Sequence, residues 1–257
     1  MKITVITAAY NSEATVGEAI ASVAAQTYPE IEHLIIEGNS NDGTLQAIES
    51  VRHRRMRLIS EPDDGIYDAL NKGIQNATGD LIGFVHSDDV LAHDGVLSRI
   101  AAEFDDPEVE AVFGDLAYVS KSDTTRVVRH WAAGSFHPRR LKYGWMPPHP
   151  TLYLRREVYE RLGQFNTTMR IAADYDYDYD FILRFFTRET GKSAHIPEVL
   201  YKMRMGGVSN RNWPMIRQKM KEDMLAIHSN GVGSILTLAL KSLSKVRQFI
   251  GARSGAL

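Results

Sequence analysis

Leu81-Ile82-Gly83-Phe84-Val85-His86-Ser87-Asp88-Asp89 is a short apolar run that passes at once into polar and acidic residues, and the reading of the chain turns on that junction. A brief apolar segment bounded by turn residues suits a strand covered on both faces. Runs of the same character lie at about 2–7, 31–36, 56–60 and 111–114, with helical patterns between them at 13–26, 44–51, 66–77 and 94–104. Ser12 ahead of Glu13 and Thr15, Asp42-Gly43-Thr44 and His93-Asp94 mark helix starts. The alternation predicts an α/β fold with a mostly parallel central sheet flanked by helices. In such sheets ligands bind outside the carboxyl ends of the strands.

The chain has 257 residues, against a prior of about 150 per domain. Hydrophobic residues at 44% and charged residues at 24% fit a folded globular chain and exclude a disordered one. Lys and Arg number 30 against 32 Asp and Glu, so no basic field exists to hold a nucleic acid. Cysteine is absent, which excludes disulfides, thiolate zinc sites and a cysteine nucleophile. No stretch approaches the roughly 18 apolar residues of a membrane span. The start, Met1 to Thr7, reads as a core strand rather than a signal peptide, which points to the cytoplasm.

Beyond residue 115 the pattern loosens. It predicts strand character over 116–131, a loop at 134–150, a strand at 151–154, helices at 155–163 and near 174–189, and a strand at 195–201. One domain with two lobes is expected over 1–212, dividing at about 115. C-terminal helices at 213–228 and 234–250 form an extension.

Four strand ends carry polar loops: Asn11-Ser12, Glu37 to Thr44, Glu61 to Gly65 and His86 to Asp89. Asp, Asn and Gly are ordinary turn and cap residues, but four such loops on one sheet edge suggest a binding rim. A carboxylate at Asp88 with oxygen and imidazole neighbours suits Mg²⁺ or Mn²⁺ shared with a diphosphate. The alternative is that Asp88 or Asp89 caps the helix beginning near 94.

Val5 to Asn11, Gln26-Thr27-Tyr28-Pro29, Glu37 to Thr44, Asp64 to Gly73, Gly79-Asp80 and His86 to Asp89 occur in the order seen in the family-2 glycosyltransferases, which the sequence resembles over roughly 2–210. The resemblance implies an A-type glycosyltransferase fold with a nucleotide-sugar-binding half to about 115 and an acceptor half over about 116–212, a nucleotide-diphosphate-sugar donor, a divalent cation and inversion at the anomeric carbon. It puts Ala9 and Tyr10 along the nucleoside, Glu37 toward base or ribose, and Asp64 and Ser87 in the donor set. Asp88 matches the last Asp of the family's metal motif, and His86 stands where the first Asp is usual. Pro147 to Thr151 resembles an acceptor-side strand, with His149 on that side. Gly206-Gly207 resembles a glycine loop whose amides approach pyrophosphate, with Arg204 and Arg211 supplying charge.

The family's base is an Asp at the start of a donor-facing helix. Reading back from Phe181 gives Asp178, and reading forward from Ile171 gives Asp174, which share a helix face four residues apart; both stand. The function so implied is an inverting transferase of the bacterial surface-polysaccharide type, making polysaccharide or glycolipid. The alternative is a sugar-nucleotide-binding protein without efficient turnover, since His86 and the repeated Asp-Tyr pairs of 174–180 depart from the catalytic landmarks. Thr190-Gly191-Lys192-Ser193 imitates a P-loop end, but Phe186 occupies the position of its first glycine.

The tail from Ser234 carries Lys241, Lys245, Arg247 and Arg253 without an acid, among apolar residues at helical spacing. It reads as an interfacial helix for anionic lipid at the inner membrane face, or as a helix packed on its own domain or on another subunit.

Overall fold

The computed structural model describes residues 1–167, 179–188, 192–205 and 213–241. In chain order its elements begin β1 (Ile3–Ala9), α1 (Val16–Ala24), β2 (Ile31–Glu37), α2 (Thr44–Ser50), β3 (Met56–Ser60), α3 (Ile66–Asn76) and β4 (Leu81–Phe84). There follow β5 (Asp89–Leu91), α4 (Val96–Glu103), β6 (Val109–Ser120), β7 (Asp123–Trp131), α5 (Pro138–Leu141), β8 (Tyr153–Arg155) and α6 (Arg156–Leu162). The last are α7 (Tyr179–Arg188), β9 (Lys192–Arg204) and α8 (Trp213–Ser229).

These strands form one sheet in the order β3-β2-β1-β4-β8-β6-β9-β5, with β7 added on β6. Strands β3, β2, β1 and β4 run parallel. Every residue of β1 and β2 is buried, as strands covered on both faces require. Ala9 and Ile35 pack with Val16 and Ile20 of α1 and Ile48 of α2, while on the other face Ile6 meets α3 so closely at Gly73 that a Cβ there would lie 2.5 Å from Ile6 Cγ2.

Parallel pairing is concentrated in this half. The second half adds antiparallel pairs β4–β8, β6–β8, β6–β7 and β5–β9, with β6–β9 parallel. The strand character over 116–131 resolves into the end of β6, a tight turn and β7, with register shifts near Val119. Across the junction of the halves Gly83 lies under the ring of Tyr153, where a Cβ would come within 2.2 Å of ring carbon. The Tyr153 hydroxyl reaches that of Tyr201 at 2.6 Å, and Tyr201 donates to Phe84 O at 3.0 Å.

The helix expected near 174–189 is described from Tyr179, and α8 packs on it: Asn230 Nδ2, just past α8, donates to Asp180 Oδ1 at 2.8 Å. Of the tail, 235–241 is helical. Of the readings of the tail, Lys241 fits packing on its own domain: it is 2% exposed and pairs with Asp223 at 3.0 Å. The other three cations lie outside the described residues.

His33 on β2 is fully buried and bonded to the Thr7 hydroxyl and the His53 ring. Burial first, then the neighbouring His53 and Arg55, pushes its pKa down to about 3, against about 6.5 in the unfolded chain. Between those values the unfolded chain binds a proton that the folded chain refuses, so stability drops as pH falls through that window. One proton corresponds to about 1.4 kcal/mol per pH unit. His33→Gln is expected to flatten the fall in urea-unfolding free energy between about pH 6 and 4.5 by that slope; an unchanged slope refutes the assignment.

Candidate active site

The parallel strands end level. Ala9 pairs with Glu37 and Glu37 with Ser60 in register, so the loops after β1, β2 and β3 leave from one line. Glu37 is 1% exposed. Its carboxylate accepts from Ser40 N at 2.6 Å and Ser60 Oγ at 2.5 Å. Burial acts to raise its pKa, but these bonds, with further ones from the Ser40 hydroxyl and Asn39 N, outweigh that and hold it below the usual carboxylate range. Glu37, expected toward base or ribose, braces the rim from inside.

The first two loops are stitched together. Asn11 N donates to Ser40 Oγ and Asn41 N to Asn11 Oδ1, at 2.9 and 3.1 Å. Ser12 N donates to Thr44 Oγ1 at 2.7 Å and Gly43 N to Glu13 Oε2 at 2.6 Å. Asp42 Oδ1 accepts from Thr44 N at 2.9 Å, serving the first turn of α2. Asn11 and Asn39 both take left-handed backbone, φ 47° and 58°, a conformation Asn tolerates better than most residues.

Beside these loops opens a cleft of about 850 Å³. Ala9, Tyr10, His86, Ser87 and Asp88 line it as expected positions, whereas Asp63 borders it in place of Asp64. Asp63 sits over Gly38, where a Cβ would come 2.3 Å from Asp63 Oδ2; the missing side chain at 38 makes room for the carboxylate. Burial raises the Asp63 pKa, opposed by the Gly65 amide and Lys72. Position alone could not distinguish Asp63 from Asp64.

Neither Asp88 nor Asp89 caps α4, whose N-cap is Gly95. Asp89 opens β5 and is 1% exposed. His86 is 9% exposed and stacked on His149, ring centroids 5.6 Å apart. Burial, with His149 alongside, pushes its pKa down to about 3, so it stays neutral. His149, expected on the acceptor side, is 3% exposed between the rings of His86 and Phe84. The proline-flanked turn folds it into the core beneath the cleft. Arg204 borders the cleft, yet its guanidinium bonds to Asp88 O and Glu18 rather than standing open for a phosphate. Asp174, Asp178, Gly206 and Gly207 lie outside the described residues.

Among the described lining residues, the carboxylates Glu13, Asp42, Asp63, Asp88 and Asp89 face two cations, Lys121 and Arg204. A diphosphate entering such a site needs added positive charge. No group of three His, Asp or Glu side chains cages a metal among the described residues. Asp88 with neutral His86 fits an ion of the Mg²⁺ or Mn²⁺ kind, which takes one or two carboxylates and completes its shell with water and substrate phosphate.

A helix-flanked sheet with this cleft at the carboxyl rim of its parallel strands has the A-type glycosyltransferase fold. Residues 4–171 match Glycosyl transferase family 2, and the chain belongs to that family. It is similar to a PGL/p-HBAD biosynthesis glycosyltransferase of Mycobacterium bovis, 29% identical over 206 residues that make up 78% of this chain and 76% of the relative. An uncharacterized glycosyltransferase of Mycobacterium tuberculosis is 30% identical over 189 residues, 71% of this chain and 68% of its own. Among solved structures, Staphylococcus aureus TarS 1-349 in complex with UDP aligns with TM-score 0.65 at 21% identity, over 88% of this chain and 65% of that one. The chain spans 40% of the longer TarS structure. Mannosyltransferase PcManGT from Pyrobaculum calidifontis, in complex with GDP-Man and Mn²⁺, aligns with TM-score 0.64 at 19% identity, over 98% and 73%. At these identities the structural likeness is one of fold.

Glu37→Gln turns an amide toward a hydrogen-bond donor that a carboxylate accepts. It is expected to lower the free energy of urea unfolding by about 1–3 kcal/mol. A loss below about 0.5 kcal/mol would show that the brace contributes little.

Proposed function

We propose that the chain transfers a sugar from a nucleotide-diphosphate donor to an acceptor hydroxyl with inversion, in the synthesis of a cell-surface polysaccharide or glycolipid. The observation that carries this reading is the single cleft in which Asp88 meets the loops from β1, β2 and β3. Family membership supports glycosyl transfer. The UDP of TarS, the GDP-Man and Mn²⁺ of PcManGT and the PGL/p-HBAD biosynthesis of the mycobacterial relative support donor, cation and product class in turn. In this reading 1–212 is the transferase domain and 213–257 a helical extension. Exposed Ile235 and Leu236 favour membrane contact by that extension, while the burial of Lys241 weakens its charge.

Ala9 and Tyr10 flank the nucleoside, Asp63 joins them beside Gly38, and Ser87 with Gly206 and Gly207 approaches the diphosphate. Asp88, with His86, would hold the cation, which would offset charge developing on the leaving group. The bond from the anomeric carbon to the β-phosphate oxygen breaks, and its electron pair leaves with the nucleoside diphosphate. The acceptor oxygen bonds to that carbon from the opposite face, and its proton passes to the carboxylate of Asp178 or Asp174.

Asp88→Asn is expected to lower donor hydrolysis in Mn²⁺ or Mg²⁺ by about 10²-fold or more, read as nucleoside diphosphate released. Metal-independent release at the wild-type rate by this variant refutes the assignment. Asp178→Asn and Asp174→Asn, assayed for transfer to a true acceptor, should leave one variant lower by about 10²–10⁴-fold with donor hydrolysis less affected. Full transfer by both removes the base assignment.

A further inference from the structure

Arg204, the last residue of β9, is 7% exposed and joins two elements far from it in sequence. Its Nη1 donates to the main-chain carbonyl of Asp88 at 2.7 Å, and its Nη2 to Glu18 Oε2 on α1 at 2.5 Å. A buried cation is stable only when paired and hydrogen-bonded. Here one partner is a carboxylate that is 61% exposed, and the other is the peptide group of the proposed metal ligand itself.

The contact bears on the direction of the Asp88 side chain. A bond to the residue 88 carbonyl restrains its peptide plane, and so the Cα–Cβ bond that aims the carboxylate. The opposite edge of the same peptide group is held by the backbone: Asp89 N donates to His86 O at 3.0 Å, and Asp89 pairs with Met203 across β5 and β9. Arg204 thus secures the remaining face of a turn otherwise fixed by backbone pairing. The planar fork of a guanidinium bonds carbonyl and carboxylate together in a fixed geometry, whereas a lysine ammonium is a point donor on a flexible stem.

We propose that Arg204 is a positioning residue. Anchored by Glu18, it fixes the Asp88 main chain so that the Asp88 carboxylate meets the cation shared with the donor diphosphate, and it does not itself bind the phosphates. The proposal rests on the reading of Asp88 given above.

The test is a titration of Mn²⁺ into the full chain in the presence of UDP and, separately, GDP, with the free ion followed by electron paramagnetic resonance. Residues that orient a metal ligand typically change affinity about 10–100-fold when replaced. Asp88→Asn and Arg204→Lys are each expected to weaken Mn²⁺ binding about tenfold or more, and Glu18→Gln about threefold. Adding Arg204→Lys to Asp88→Asn should cost less than about twofold further, because a residue that acts through another is non-additive with it. Glu18→Gln alters an exposed side chain and carries the same comparison if Arg204→Lys does not fold.

Wild-type affinity in Asp88→Asn overturns the Asp88 reading and the proposal with it. Weakening in Asp88→Asn beside wild-type affinity in Arg204→Lys overturns the proposal alone. A full further tenfold loss in the double variant also overturns it, by assigning Arg204 to the ligand.

Discussion

Ala9, Glu37 and Ser60 are partners across three parallel strands, and the site follows from their being level. Parallel strands present all their carboxyl ends on one edge, where the chain must leave the sheet and its next amide groups need new acceptors. Glu37 supplies one set from within, taking a side-chain bond from Ser60 and a main-chain bond from Ser40. Asn11, Glu13, Asp42 and Thr44 accept further amides between neighbouring loops. The rim is therefore a cross-linked frame rather than separate turns, which allows it to hold a ligand without first paying for its own ordering.

This frame is strongly acidic where it faces the cleft. Among the described lining residues, five carboxylates against two cations would repel a diphosphate, and these residues meet the imbalance only partly among themselves. Glu13 and Asp42 accept main-chain amides, and Arg204 is already shared between Glu18 and a carbonyl. His86 adds nothing, because burial keeps it neutral. Charge balance among these described residues is the physical ground for the cation in the proposed mechanism.

The first half was legible because each element announces itself locally. Apolar runs, helix periodicity and turn residues agree over β1 to β4, and the polar loops fall at the strand ends. What was not legible depends on distant partners. The three residues of β5 are a strand only because β9 lies beside them. His149, expected on the acceptor side, is enclosed by Phe84 and His86, neighbours 65 and 63 positions earlier. Lys241 looks like a surface cation until Asp223, 18 positions earlier, is brought to it by the packing of the last helices. Arg204 carries charge in any reading, but its partners lie 116 and 186 residues away, beyond any local pattern.

Asn71-Lys72-Gly73 shows why a motif can be recognisable before its purpose is. Neighbours on a helix point about 100° apart, so three consecutive residues of α3 serve three directions. Asn71 donates to Phe165 O at 3.0 Å and accepts from Phe165 N at 2.9 Å, joining the second half as a strand partner would. Lys72 reaches back to Pro62 O at 2.7 Å, with Glu61 and Asp68 beside it, and so steadies the loop that carries Asp63. Gly73 lets the helix settle on Ile6 of β1. The triplet thereby links sheet, rim loop and second half through one helical turn.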